Sequence, residues 1–371
     1  MNRISWKQWI MVALAVALGW GLRGQHGHER GAAIAGAMAG LGLAAVTGGP
    51  RWMGAAVLGS LGFAIGGSLS YGRFISLAYA GSWEAVAALV FVGLSWGGLG
   101  SLTLGIGLSL PKYRLLERIF IIGGLFLVWV VVDHLLWGRL TGSDDLRTRE
   151  LMILLLGVVW GLLLAYVGIV RRDHTSIKLA VAGGIGFAVG FPLAAWVQGA
   201  GSSTGIPLNW WKIGEHLIGF CGGAGLGWAA LRQKGSWVLP LPVRPWERWW
   251  AMAWLIWFLP SWQLANNLDY WISERALFPL WLNQTAAIGS FLFLLALGLW
   301  GWTEIRRGRV FATSWMPRHL RRLFLIFLWL TTAIACSKTA FVGVVDPPVL
   351  GFLLLALVLT WLVRTTRVTP A

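Results

Sequence analysis

Charge is scarce in this chain. Only 12% of its 371 residues are Asp, Glu, Lys or Arg, about half the share found in soluble globular domains, so an ordinary soluble domain is excluded. Cysteine is nearly absent. Cys221 and Cys336 each sit in an apolar run, which leaves no disulfide framework and no thiolate metal site; both read as buried small hydrophobes. No G-x-x-x-x-G-K-[ST] string occurs, so the chain has no nucleotide motif of its own. Segments of about ten residues with alternating polarity, the mark of a membrane β-barrel, are lacking too.

What the chain has is apolar length. Hydrophobic residues make up 57% of it, with 50 Gly and 27 Trp, and the mean hydropathy is +0.70. A helix needs about 20 mainly apolar residues to cross a bilayer. Twelve runs qualify: 6–22, 31–48, 52–71, 83–108, 117–137, 150–170, 179–198, 211–231, 247–265, 280–302, 320–338 and 348–364. The expected fold is therefore an all-α integral membrane protein of about twelve spans, one polytopic domain over 1–371. The basic start and apolar core of MNRISWKQWIMVALAVALGWG resemble a signal peptide. Its terminal motif recurs later in the chain, so the segment is read as an uncleaved first span.

The formal net charge of +16 would point to nucleic acid in a soluble protein. Topology explains it instead, because Lys and Arg collect in cytoplasmic loops. With the N-terminus inside, 21 of the 30 basic residues but four of the 14 acidic ones fall on the cytoplasmic side. That side carries +17 and the outer side −1. Both termini are expected in the cytoplasm, with a basic cytoplasmic loop at 303–319, and the absence of transit and lipidation signals points to a cell inner membrane.

Three segments align: Leu18-Gly-Trp-Gly-Leu-Arg-Gly24, Leu61-Gly-Phe-Ala-Ile-Gly-Gly67 and Ile185-Gly-Phe-Ala-Val-Gly-Phe191. Each precedes a glycine-rich inward run. PKYRLLER at 111–118 also resembles PVRPWER at 242–248. Units of about 51–137 and 179–265 are thus expected to repeat in the same orientation, with the first two spans a related hairpin. Glycine at these positions lets helix backbones approach where lipid supplies no hydrophobic drive, or lines a cavity at a repeat interface.

Arg23-Gly-Gln-His-Gly-His-Glu-Arg30, between the first two spans, is the most unusual stretch. Arg23 stands where the other repeats have Gly66 and Gly190. His26, His28 and Glu29 offer ligand types suited to a divalent metal, or a proton relay, without the spacing of a metalloprotease helix; Glu29 equally suits the positive end of a helix. Asp133 and His134 close the fifth span and Glu215 and His216 open the eighth. Neighbouring helix positions point about 100° apart, so one of each pair can face a shared cavity: Glu215 and Asp133 as inward acids, a histidine as partner. Further polar groups near that face are Glu84, Asn266, Asn267, Asp269, Asn283, Gln284, Lys338 and Asp346, with Gln263 deeper. Trp210, Trp211, Trp262 and Trp271 line either lipid or a substrate, and 199–209 has the composition of a linker or lid.

Three functions follow. The first is a transporter or channel whose small ion or polar solute meets Arg23, His26, His28, Glu29, Asp133, His134, Glu215 and His216 from outside. The second is an intramembrane enzyme acting on a lipid or lipid-linked substrate, with Glu29, Asp133 or His28 catalytic and Arg23 on a phosphate. The third is a scaffold subunit, which should tolerate His28→Ala or Glu29→Gln. Membrane lipid is the expected partner in all three, and nucleic acid in none.

Overall fold

A computed structural model describes residues 5–49, 51–67, 71–131, 146–233, 245–277, 317–340 and 347–366, with scattered positions between 279 and 307. All regular structure among them is helical. We number the helices α1 (Trp6–His26), α2 (His28–Thr47), α3 (Trp52–Gly66), α4 (Gly72–Tyr79), α5 (Trp83–Leu108), α6 (Leu115–Val130), α7 (146–170), α8 (His174–Ser202), α9 (Trp210–Arg232), α10 (245–274), α11 (Pro317–Ala340) and α12 (Pro347–Thr365). Six stretches are long and apolar enough to cross a membrane: His28–Thr47, Trp83–Leu108, Ile153–Val170, His174–Ser202, His319–Ala340 and Pro348–Thr365.

Six helices form a closed ring in which each touches the next: α1, α2, α3, α5, α8, α9 and back to α1. Small residues make this possible. A side chain on Gly36 of α2 would overlap the Gly59 backbone of α3, and one on Gly19 of α1 would come 2.6 Å from the Ala35 Cα of α2. Van der Waals contact at such separations is what holds helices together in an apolar medium. Around the ring, α11 covers α2, α12 lies on α1, and α6 and α10 flank α3. Helix α2 is consequently buried nearly all round.

The interior of the ring is aromatic. Trp20 of α1, Phe63 of α3 and Phe187 of α8 come from alternate members of the ring, so they can meet only inside it. Their ring centroids lie 6.3 Å (Trp20–Phe63), 5.0 Å (Trp20–Phe187) and 5.5 Å (Phe63–Phe187) apart, and none of the three is more than 1% exposed. A π-helical turn at Gly93–Gly97 interrupts α5, where Gly93 and Gly97 lie against Ala188 and Phe187. That turn carries Trp96 into the interior, edge-on to Tyr71 and Phe191. The outer surface is apolar as well: Phe120 is 76% exposed, Ile169 75%, Leu350 63% and Leu354 63%, the pattern lipid contact requires.

Several sequence expectations need correction. The run 52–71 is not one span, because α3 ends at Gly66 and a short helix, α4, begins at Gly72. The linker expected at 199–209 is partly helix: α8 continues to Ser202, with Gly199 against Tyr79 and Gly201 against Trp210. Both cysteines are free but half-buried, not enclosed. Asp133, His134, Asn283, Gln284, Asp346 and most of the 303–319 loop lie outside the described residues.

Candidate functional site

At the end of the ring that carries the α1–α2 connection, a cavity of about 160 Å³ is lined by Arg23, Gly24, Gly27, His28, Tyr71, Gly72, Trp211 and Glu215. Four elements build it. The last turns of α1 supply Arg23 and Gly24. Gly27, at φ +76°, turns the chain directly into α2, whose first residue is His28. Tyr71 and Gly72 begin α4, and Trp211 and Glu215 lie in the first two turns of α9, where Asn209 caps the Lys212 amide.

Three charges are buried here. Arg23 is 5% exposed, Lys212 8% and Glu215 2%. Lys212 Nζ donates to Glu215 Oε2 at 3.0 Å, the Tyr71 hydroxyl donates to Oε1 at 3.3 Å, and Arg23 Nη1 stands 3.9 Å from the same oxygen. Arg23 also donates through Nη2 to the Gly67 carbonyl at 3.3 Å. Its guanidinium lies 4.5 Å from the Tyr71 ring centroid, 5.5 Å from Trp20 and 5.8 Å from Trp96, a cation among aromatic faces. Tyr71 stacks on Trp211 at 5.9 Å. Gly24 has no side chain because the Glu215 carboxylate occupies the space a Cβ would take.

The structure brings Arg23, His28 and Glu215 together and separates the other residues singled out by sequence. His28 is exposed at the mouth. Glu29 does not line the cavity and sits 3.9 Å from Arg30 Nε. His216 turns away: its Nδ1 donates to the Lys212 carbonyl at 2.7 Å and its ring rests on Gly21 and Phe352. The partner expected for the acid was a histidine; the partners present are Lys212, Tyr71 and Arg23. His26 is 2% exposed, with no hydrogen bond to either ring nitrogen among the described residues. Near it Lys338 Nζ donates to the Gln25 carbonyl at 2.8 Å and to Asn266 Oδ1 at 3.0 Å. The divalent-metal set of His26, His28 and Glu29 does not form, since no group of three His, Cys, Asp or Glu able to hold a metal occurs among the described residues. The reason is geometric: His26 ends one helix inside the protein and His28 starts the next at its surface.

Of the tryptophans considered, Trp211 lines the cavity, whereas Trp271 is buried and donates to the Lys338 carbonyl at 2.9 Å. Glu84 is exposed, and Gln263 is buried, donating to the Thr331 carbonyl. Sequence reasoning singled out neither Tyr71 nor Lys212. The available signal for Lys212 was its place three residues before Glu215, which puts both on one helix face.

A second site of buried charge lies at the opposite end of the bundle. Asp173, fully buried, accepts from Ser109 Oγ at 3.1 Å, Lys112 Nζ at 2.9 Å, Tyr113 Oη at 3.1 Å and Ser176 Oγ. It ties the start of α8 to the α5–α6 connection. Burial opposes its charge, yet the hydrogen bonds from Ser176 and Lys112 prevail and hold the carboxyl below its ordinary pKa. Burial, then the neighbouring Asp173 charge, push the Tyr113 phenol up. Every carboxylate partner here is satisfied within the protein, as in a structural clasp.

Compared with known proteins, the chain matches no family model, no curated protein and no solved structure.

Proposed function

We propose that the protein is a transporter or channel of the cell inner membrane, with both termini cytoplasmic, and that its solute enters the Arg23–Glu215 cavity from outside. The carrying observation is the arrangement of that cavity over the ring's aromatic centre: Arg23, in its wall, contacts Trp20, and Trp20 contacts Phe63 and Phe187. A closed helix ring with a polar mouth above an apolar constriction is the layout of a gated path, since an apolar constriction stops water and ions.

Orientation supports the same reading. Arg51, Lys112, Arg118, Arg171, Arg232, Arg248 and Arg321 fall at helix ends opposite the cavity, which the preference of basic residues for the cytoplasm makes the inner side. The expected twelve spans are α1–α3 and α5–α12 together with the run 280–302. In this reading the units 51–137 and 179–265 repeat around an axis along the membrane normal, and their first two spans, α3–α5 and α8–α9, correspond to the related hairpin α1–α2. In the aligned segments, Trp20, Phe63 and Phe187 occupy one position and meet at the centre. Gly19, Gly62 and Gly186, one residue earlier, back onto Ala35, Thr103 and Cys221 of their own hairpins.

One observation favours the enzyme reading: buried Glu215 sits between Lys212 and the Tyr71 hydroxyl, an arrangement suited to proton transfer. Flux of small labelled solutes into proteoliposomes separates the two. Saturable uptake that Arg23→Gln abolishes supports transport. Turnover of a lipid or lipid-linked substrate without flux would replace it with the enzyme.

A further inference from the structure

Four helix ends meet at the cavity, and three of them are N-termini: those of α2, α4 and α9. Backbone N–H groups and the positive end of the helix dipole favour anions there, and neither α2 nor α4 carries a side-chain cap. The buried side chains point the same way. Arg23 and Lys212 are two cations against the single carboxylate of Glu215, and the Arg23–Glu215 contact is long at 3.9 Å whereas Lys212 holds Glu215 at 3.0 Å. A guanidinium has five N–H donors, so Arg23 can keep its contacts within the protein and still share donors with an oxyanion, for which its planar fork is shaped. Nearby Arg30 is met by Glu29, and Glu215 is the one carboxylate among the described residues that line the cavity.

The cavity is open on one side, so its volume bounds the group it takes in and not the whole guest. A cavity of about 150 Å³ holds benzene, six heavy atoms; this one, about 160 Å³, suits a group of that size.

We infer, resting on the transport reading for the direction of entry, that the cavity is an oxyanion site. It takes the phosphate or carboxylate group of a small solute, or the phosphate of a lipid headgroup. Arg23 is the principal contact, and Glu215 competes with the guest for it.

The test is thermal unfolding of the full-length purified protein, titrated with inorganic phosphate and with acetate at fixed ionic strength, chloride being the control. Phosphate or acetate should stabilise saturably and chloride should not. Glu215→Gln, which removes the competing carboxylate, should tighten binding about tenfold or more, and Arg23→Gln should abolish it. Should Arg23→Gln fail to fold, Gly72→Val serves instead, filling the lining beside Trp211 with every charge kept, and should also abolish binding. Nanodiscs of phosphatidylcholine with and without phosphatidic acid identify the source: stabilisation by free phosphate assigns a solute, and stabilisation by phosphatidic acid alone, lost in Arg23→Gln, assigns a headgroup. Failure of phosphate, acetate and phosphatidic acid to stabilise both the wild type and Glu215→Gln overturns the inference. Oxyanion binding without flux would remove the transport reading and leave the site; flux of a neutral solute without oxyanion binding would do the reverse.

Discussion

Replacing Gly24 with alanine isolates the packing of Glu215 against the α1 backbone. A methyl at position 24 overlaps the carboxylate, which must retreat to van der Waals separation, about 3.5 Å. Glu215 is the flexible partner, so the fold survives and the site does not. Retreat breaks the 3.0 Å bond from Lys212 and the 3.3 Å bond from Tyr71. A hydrogen bond to a charged group contributes about 1.5–3 kcal/mol, so losing both costs about 3–6 kcal/mol, and the better helix propensity of alanine returns about 1 kcal/mol. The net loss, about 2–5 kcal/mol, is a large fraction of the stability of a typical protein, about 5–15 kcal/mol. The assay is a double-mutant cycle followed by tryptophan fluorescence during unfolding: Gly24→Ala in the wild type and in a Glu215→Ala background. In the second background the substitution should be neutral or slightly stabilising. Equal cost in both backgrounds refutes the reasoning, because the penalty would then have nothing to do with the carboxylate.

Three further outcomes follow from the structure. Gly36→Leu drives a side chain into the α3 backbone at Gly59 and should prevent assembly of the ring, measured as loss of the monodisperse peak on size exclusion. Asp173 has a depressed pKa, so its stabilising effect is complete above the unfolded value of about 3.9 and fades as pH falls through its lower folded value. Asp173→Asn should therefore lower the unfolding temperature at pH 7, and the difference from wild type should shrink on acidification below about pH 4. Since His26, His28 and Glu29 do not converge, His28→Ala should leave the response of the unfolding temperature to chelator or added zinc the same as in the wild type, checked in the same fluorescence assay.

Hydropathy made the helices legible, because a residue run that must satisfy its backbone in lipid leaves little choice of structure. It did not make α4 legible: Gly67, Tyr71 and Gly72 continue an apolar run in composition, and nothing in that composition marks the end of α3 at Gly66. Arg23 was conspicuous as a cation in a glycine's place. Its relation to Glu215 was not, for the two lie on helices far apart in sequence and no local pattern encodes which helices become neighbours. The 100° rule correctly demands that only one of Glu215 and His216 face the cavity, but it cannot name the partner, which is Lys212, one turn earlier on the same helix. His26 and His28 look like a ligand pair in sequence because the sharp turn at Gly27, which sends one inward and leaves the other exposed, has no signature beyond a glycine. The contact of Trp20, Phe63 and Phe187 was latent in the aligned segments, where attention to the glycines hid the shared aromatic position.

The central claim is that these three aromatic rings close a path through the helix ring beneath an outward cavity. Flux of a small anion such as acetate across proteoliposomes containing Phe63→Ala tests it most directly. Removing this ring should open the constriction and raise passive flux well above that of the wild type, and adding Gly72→Val at the mouth should suppress the leak. Flux unchanged by Phe63→Ala, in protein that remains folded, would contradict the claim and leave the aromatic cluster as core packing alone.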